Sequence, residues 1–155
     1  MLIQNNNMAD IAVTLLVEDN PADQQLTIRA FKKGKVNTNL QIANDGQEAM
    51  DYLNRVGKYA DKKEYPWPDL ILLDINMPRK DGKQVLREIK ENKEFKTIPI
   101  VMLTTSDQEK DILEAYELGV NSYISKPVRI NEFIDVINKL EEFWFNLSLL
   151  PTKNR

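Results

Sequence analysis

Cysteine and histidine are both absent from this 155-residue chain, and each absence removes a class of chemistry. Without cysteine there is no disulfide framework and no thiolate metal site, which points to a cytoplasmic protein. Without histidine there is no Ser-His-Asp triad, no histidine-ligated zinc and no histidine phosphotransfer by the chain itself. Basic residues are not in excess: 21 stand against 24 acidic ones, for a net charge of −3. No basic field is available to hold a nucleic acid backbone. No stretch approaches the roughly 20 apolar residues of a membrane span, and the polar opening Met1 to Asn7 is no signal peptide. Residues 1–10 are expected to form a disordered tail, with Met8 an alternative initiator. The length suits one domain, here 11–147, with 148–155 as a tail too short to fold as an effector domain.

What is present is a rhythm of aliphatic strands alternating with helical patterns, repeated five times, as in βα units around a parallel sheet. The first strand, Ala12 to Val17, is apolar almost throughout and reads as central. Asn20-Pro21 supplies an N-cap and a first-position proline for a helix that stops near Gly34, with Leu26, Ala30 and Phe31 facing inward. The second strand, Leu40 to Ala43, is polar at both ends and reads as an edge. Its helix carries Ala49, Met50 and Leu53 and ends around Gly57. Lys58 to Pro68 reads as a charged, aromatic surface loop, long for its place. The third strand, Asp69 to Asp74, leads to a helix over 82–90 with Val85, Leu86 and Ile89 inward. The fourth, Pro99 to Leu103, leads to a helix capped by Ser106 or Asp107 and ended at Gly119. The fifth, Asn121 to Ser125, leads to a long helix from Ile130 to Leu147.

The ends of these strands carry the chemistry. Glu18 and Asp19 follow the first strand, Asp74 the third, Thr104 the fourth and Lys126 the fifth. In an open parallel sheet such positions converge along one edge. Glu18 and Asp19 could serve only a helix start, but Asn20 already supplies the cap. Beside Asp74 they form a repulsive cluster, in which each like-charge pair at ~4 Å costs about 4 kcal/mol at an effective dielectric of about 20. That cluster calls for a hard cation on oxygen ligands, with Mg²⁺ the best candidate. Asp74 could merely end a strand before a turn, or be a nucleophile that accepts a phosphoryl group. Mg²⁺ and Lys126 would then cancel the charge of the three carboxylates and stabilise the transferring oxygens. Thr104 and Lys126 taken singly suit a strand and its solvated end, although Pro127 holds Lys126 at a defined corner where a cis peptide is expected. Tyr123 is either a packing aromatic at the sheet edge or part of a switch.

The series Val17-Glu18-Asp19-Asn20, Leu73-Asp74-Ile75-Asn76-Met77-Pro78 with Asp81-Gly82, Met102-Leu103-Thr104 and Tyr123-Ile124-Ser125-Lys126-Pro127 resembles the receiver domain of bacterial two-component response regulators, over about Ile11 to Leu140. The resemblance implies an α/β flavodoxin-like doubly wound (βα)5 fold, with a five-stranded parallel sheet of order 2-1-3-4-5. It makes Asp74 the phosphoryl acceptor and places Glu18, Asp19, Asp74 and the backbone carbonyl of Asn76 at the Mg²⁺. Lys126 would pair with a phosphoryl oxygen, while Thr104 would move towards that group and Tyr123 rotate inward, a two-state switch. Thr105 departs from the small alanine frequent in the family. The donor would be a histidine kinase, which binds the ATP, so that the chain is a phosphoacceptor and not an enzyme. A downstream phosphotransfer protein is left open as the next acceptor.

Phe143, Trp144, Phe145 and Leu147 spread over most of a helix circumference, so part of this apolar set is expected to form an interface. The alternative is a C-terminal segment folded back on its own domain. The aromatic loop with Tyr59, Tyr65 and Trp67, the Met77 to Gly82 segment and this aromatic end resemble the small stand-alone regulators of cyanobacterial phytochrome histidine kinases. That narrower resemblance implies a phytochrome as kinase and a homodimer through the helix 4, strand 5 and helix 5 face. Two other classes share parts of the pattern. A magnesium-dependent phosphatase with an aspartate nucleophile would place a second aspartate where Asn76 stands, and a nucleotide carrier would need glycine or hydroxyl residues where Glu18-Asp19 stand. A binding module that no longer uses phosphate is the third alternative.

Overall fold

The computed structural model describes residues 11–34, 38–75, 77, 80–105, 108–127 and 129–147, with the side chains of 145–147 excepted. The expectations for residues 1–10, for Asn76 and for 148–155 concern positions outside these residues, as do those for the side chains of Phe145 and Leu147. Strands β1 (Val13–Val17), β2 (Asn39–Ala43), β3 (Leu70–Leu73), β4 (Ile100–Thr104) and β5 (Ser122–Ser125) alternate with helices α1 (Pro21–Lys33), α2 (Gly46–Leu53), α3 (Gly82–Glu91), α4 (Glu109–Glu117) and α5 (Ile130–Glu141). The strands form one parallel sheet of order β2-β1-β3-β4-β5. This is the expected doubly wound architecture. No described helix is long and apolar enough to cross a membrane.

Burial follows from this order. The three inner strands are buried at every position, whereas β2 and β5 at the edges are half-exposed over most of their length. Side chains alternate between the two faces of the sheet. Leu15, Val17, Ile71, Leu73, Ile100 and Met102 pack with the inner residues of α2, α3 and α4. Leu16, Leu70, Leu72, Val101 and Leu103 pack with Ala30 and Phe31 of α1 and with Phe133, Ile137 and Leu140 of α5. Each large aliphatic side chain so buried contributes about 1.5–3 kcal/mol of transfer free energy. Val85, Leu86 and Ile89 of α3 are fully buried, as their spacing requires.

Local chemistry sets most helix ends. Asn20 caps α1, with its side chain accepting from the Asp23 amide and Pro21 at the first position. Asp81 and Gln84 form a capping box on α3. After α4, Gly119 takes a positive φ of 103° and donates to the Tyr116 carbonyl, the expected stop.

Five expectations require correction. The 58–68 loop is superficial only in part: Lys58 and residues 60–64 are exposed, but Tyr59 and Trp67 are buried, the rings of Tyr52, Tyr59 and Tyr65 pack edge-on or tilted, and Trp67 meets Phe95 at 5.6 Å. Burying these rings outweighs the charge around them, and the Arg55 guanidinium anchors the loop by donating to the Tyr59 and Tyr65 carbonyls. Second, α2 ends at Leu53, because Arg55 and Gly57 adopt left-handed backbone at φ 61° and 60°. Third, α4 begins after Gln108, which makes no side-chain cap; Ser106 and Asp107 lie outside the described residues, and Glu109 and Asp111 instead place negative charge at the positive helix end. Fourth, the final helix is α-helical only to Glu141 and continues as a π-helical turn over Glu142–Leu147, which lets Trp144 lie against the core while Phe143 stays exposed. Fifth, the described residues contain no cis peptide, so Lys126–Pro127 is trans, the isomer that an X–Pro bond favours intrinsically.

Candidate functional site

Backbone pairing assembles the site before any side chain contributes. The Glu18 amide donates to the Ala43 carbonyl at 3.1 Å and the Asp74 amide to the Val17 carbonyl at 3.2 Å, which sets the ends of β1 and β3 side by side. The Lys126 amide donates to the Thr104 carbonyl at 2.8 Å and joins the ends of β4 and β5. Glycine allows one further approach. A Cβ on Gly82 would stand 2.1 Å from the Asp74 carbonyl oxygen, so only a bare α carbon fits there, and the Gly82 amide donates to the Ile75 carbonyl at 2.9 Å. The Asp81-Gly82 pair thus holds the start of α3 against the backbone of Asp74.

At this edge one carboxylate oxygen from each of Glu18, Asp19 and Asp74 lies within 4.8 Å of the others. Glu18 and Asp74 are buried and Asp19 is half-exposed. An all-oxygen donor set on this scale fits a hard divalent cation, which Glu18, Asp19 and Asp74 would hold. Lys126 supplies the one buried ammonium of the site. Its Nζ hydrogen-bonds Glu18 Oε1, reaches Asp23 Oδ2 at 3.2 Å and stands 3.9 Å from Asp74 Oδ2. Burial holds the Glu18 carboxyl up at about 7, with the Asp74 charge acting in the same direction and Lys126 opposing both. For Lys126, burial works against the ammonium, but its bond to Glu18 and the charges of Asp74 and Asp23 outweigh that and raise its pKa.

Thr104 is fully buried at the end of β4. Tyr123 lies opposite Met102 in β5 and Thr104 lies opposite Ser125. By the two-residue period Thr104 and Tyr123 share one face of the sheet, that of the α2, α3 and α4 core, against which Tyr123 packs half-buried. Thr105 is exposed. The structure therefore brings together Glu18, Asp19, Asp74, Thr104 and Lys126, with Tyr123 two residues along the strand from the Thr104 level on the same face.

Two contributors escaped the sequence reading. Asp23 pairs with Lys126 from the first turn of α1, and Gln24 Nε2 donates to the Glu18 carbonyl and to Asn44. Asp23 and Gln24 read locally as ordinary residues of a first helical turn. The available signal was an acid three residues after the Asn20 cap, facing back towards the strand end.

The geometry has counterparts. The family model described as "Response regulator receiver domain" matches residues 14–138. Response regulator Rcp1 of Synechocystis sp. is 42% identical over 139 residues, spanning 90% of this chain and 92% of that protein. The crystal structure of the phosphorylated cyanobacterial phytochrome response regulator RcpA superposes with a TM-score of 0.85 at 42% identity, covering 92% of this chain and 99% of the other. The Mn²⁺-bound form of Rcp1 superposes with a TM-score of 0.81 at 42% identity, covering 91% and 99%.

Proposed function

The chain belongs to the response regulator receiver domain family, and from that premise we propose that Asp74 is the residue that accepts the phosphoryl group, from a phosphohistidine on a partner kinase, with Mg²⁺ as the working metal. Receiver domains are phosphoacceptors with regulatory output and not enzymes in the ordinary sense; this one acts in a two-component phosphorelay at its acidic cluster. The observation that carries the assignment is the placing of Asp74 within 4.8 Å of Glu18 and Asp19 and 3.9 Å from the Lys126 ammonium, at the carboxyl edge of the sheet.

In the transfer, an Asp74 carboxylate oxygen forms the new O–P bond as the N–P bond of the donor imidazole breaks, and the electron pair of that bond returns to the imidazole nitrogen. A bound divalent cation supplies positive charge to the phosphoryl oxygens. Glu18 and Asp19 would hold that cation beside the acceptor; the Asn76 backbone carbonyl, read from the sequence as a further ligand, lies outside the described residues. Lys126 offers its ammonium to a phosphoryl oxygen and balances the added charge. Thr104 then hydrogen-bonds the phosphoryl group and Tyr123 turns into the space beside it, so that one local charge change selects between two packings of the α4, β5 and α5 face.

Similarity to a regulator named for a cyanobacterial phytochrome supports a phytochrome-type histidine kinase as the donor. The exposed Phe143 beside the half-buried Trp144 supports self-association through the α4, β5 and α5 face. The deciding experiment is intact mass after incubation with acetyl phosphate, with and without Mg²⁺, on the parent and on Asp74→Asn. One phosphoryl group is gained by the parent, only with metal, and none by the variant. A folded parent that gains nothing with metal present overturns the assignment.

A further inference from the structure

Helix α4 is lightly held for an element expected to move. Only Ala115 is fully buried within it, Leu113 and Tyr116 are 60% and 49% exposed, and Gln108 provides no side-chain cap. Its nine residues carry Glu109, Asp111, Glu114 and Glu117 against the single Lys110, which is exposed and reaches Glu114 only at 3.9 Å, so an outside cation relieves most of the repulsion along the helix.

Lys83 is such a cation. From the first turn of α3 its Nζ donates to Asp111 Oδ1 at 2.6 Å and to Glu114 Oε2 at 3.1 Å, binding two acids one helical turn apart. Both members of the closer pair are about four-fifths shielded from solvent, at 21% and 19% side-chain exposure. The hydrogen bond to Asp111 raises the Lys83 pKa, so the ammonium persists throughout the neutral range. The pair borders an open hollow of about 420 Å³ lined by Ile75, Met77, Asp81, Lys83 and Asp111. A packed contact at this place would resist displacement of α4; an ion pair beside a hollow gives way when its partners separate.

The position of Lys83 gives the contact its meaning. It follows Gly82, whose α carbon lies against the Asp74 carbonyl and whose amide is bonded to Ile75. One end of the connection is therefore fixed to the backbone of the acceptor, and the other is the first half of α4, which follows Thr104 by a short loop. We propose that Lys83 is a positioning residue that holds α4 in its resting place, and that phosphorylation and displacement of α4 are coupled through its bonds to Asp111 and Glu114. A displacement of Thr104 towards the phosphoryl group draws the start of α4 with it and strains those bonds. Phosphorylation then proceeds from the arrangement in which these bonds are released, so weakening them raises the population of that arrangement and with it the rate.

This inference rests on the reading of Asp74 as acceptor, and the test separates the two. Lys83→Gln, Lys83→Arg and the double variant Asp111→Asn with Glu114→Gln are compared with the parent by amide hydrogen exchange over 109–117. The same proteins are followed by initial rate of phosphorylation with acetyl phosphate and Mg²⁺. Lys83→Gln and the double variant exchange about three- to tenfold faster in α4 alone and gain phosphoryl groups faster by a similar factor; Lys83→Arg restores both towards the parent. Unchanged exchange in α4, or faster exchange spread over the whole chain, overturns the holding role whatever the phosphorylation result. Faster exchange with an unchanged or slower rate overturns the coupling. A parent that takes no phosphoryl group fails the acceptor reading and the coupling together, while the exchange arm still decides whether Lys83 holds α4.

Discussion

The Lys126 ammonium is bonded to Glu18 and not to Asp74: it donates to Glu18 Oε1 and stands 3.9 Å from Asp74 Oδ2. Both partners are buried, at 6% and 1% side-chain exposure. The lysine that faces the acceptor is thus also the counter-ion of a metal-site acid. Lys126→Met strands a buried carboxylate, a change that costs about 3–5 kcal/mol. Urea denaturation at neutral pH is expected to show a loss of that size, partly restored by millimolar Mg²⁺, because a divalent cation replaces the missing charge and stabilises the folded state by mass action. A variant as stable as the parent without metal would show the pair to be dispensable.

Gly82 and Gly57 separate steric necessity from backbone preference. A Cβ at Gly82 would meet the Asp74 carbonyl oxygen at 2.1 Å and the Ile75 α carbon at 2.8 Å, whereas one at Gly57 would meet nothing within 4 Å. Gly82→Ala is expected to destabilise the fold by about 3 kcal/mol or more and to displace Asp74. Gly57→Ala costs only about 1 kcal/mol, for its φ of 60°. Chemical denaturation of both variants, with phosphorylation of the survivors, checks the ordering.

Glu141 is a buried acid that favours the folded state when neutral. It is 1% exposed, and neither of its carboxylate oxygens nor Asn138 Oδ1 has a hydrogen-bond partner among the described residues. Gly34 at the end of α1 lies against both groups, and among the described residues the bases of that last turn, Lys32 and Lys33, are exposed. Burial raises the Glu141 pKa from 4.5 to about 7, and the nearby C-terminus of α1 also disfavours its charge. The folded state therefore binds the proton more tightly than the unfolded chain. The stability from this group is complete below about 4.5 and is lost as pH rises to about 7, a change of the order of 3 kcal/mol. Urea midpoints from pH 4.5 to 8 should fall more steeply for the parent than for Glu141→Gln, whose side chain cannot ionise; parallel profiles would remove Glu141 as the cause.

Phe143 and Trp144 pack edge to face at 5.3 Å but face different surroundings. Phe143 is 53% exposed, while Trp144 lies against the α1 and α5 core, and both rings line a hollow of about 630 Å³ with Ile124, Val136 and Leu140. If copies associate here, Phe143→Ser weakens the dimer about tenfold or more and leaves thermal stability within about 0.5 kcal/mol of the parent. Trp144→Ser lowers stability itself by about 3 kcal/mol or more. Sedimentation velocity and thermal denaturation distinguish the two effects.

Much of the fold was legible because its signals are local. Asn20-Pro21, Asp81-Gly82 and Gly119 end or begin helices through their own backbone chemistry, and the buried β1, β3 and β4 declare themselves as unbroken aliphatic runs. The site was legible for a related reason: a residue just after such a run must lie at the carboxyl edge. Tyr59, Trp67 and the π-helical turn were misplaced because their conformations answer to rings and helices distant in the chain. Local composition recorded only charge and bulk.

What the sequence by itself determined is which groups arrive at the edge: the acids of Glu18, Asp19 and Asp74, the hydroxyl of Thr104 and the ammonium of Lys126. Periodicity and strand ends carry that information without reference to any distant residue. Only the tertiary structure decided which of them bind one another. Lys126 reaches Glu18 and Asp23, and Lys83 crosses from α3 to Asp111 and Glu114. Ion pairs of this kind depend on separations of a few ångströms and on the water excluded around them, quantities that come into being only when the helices have packed on the sheet.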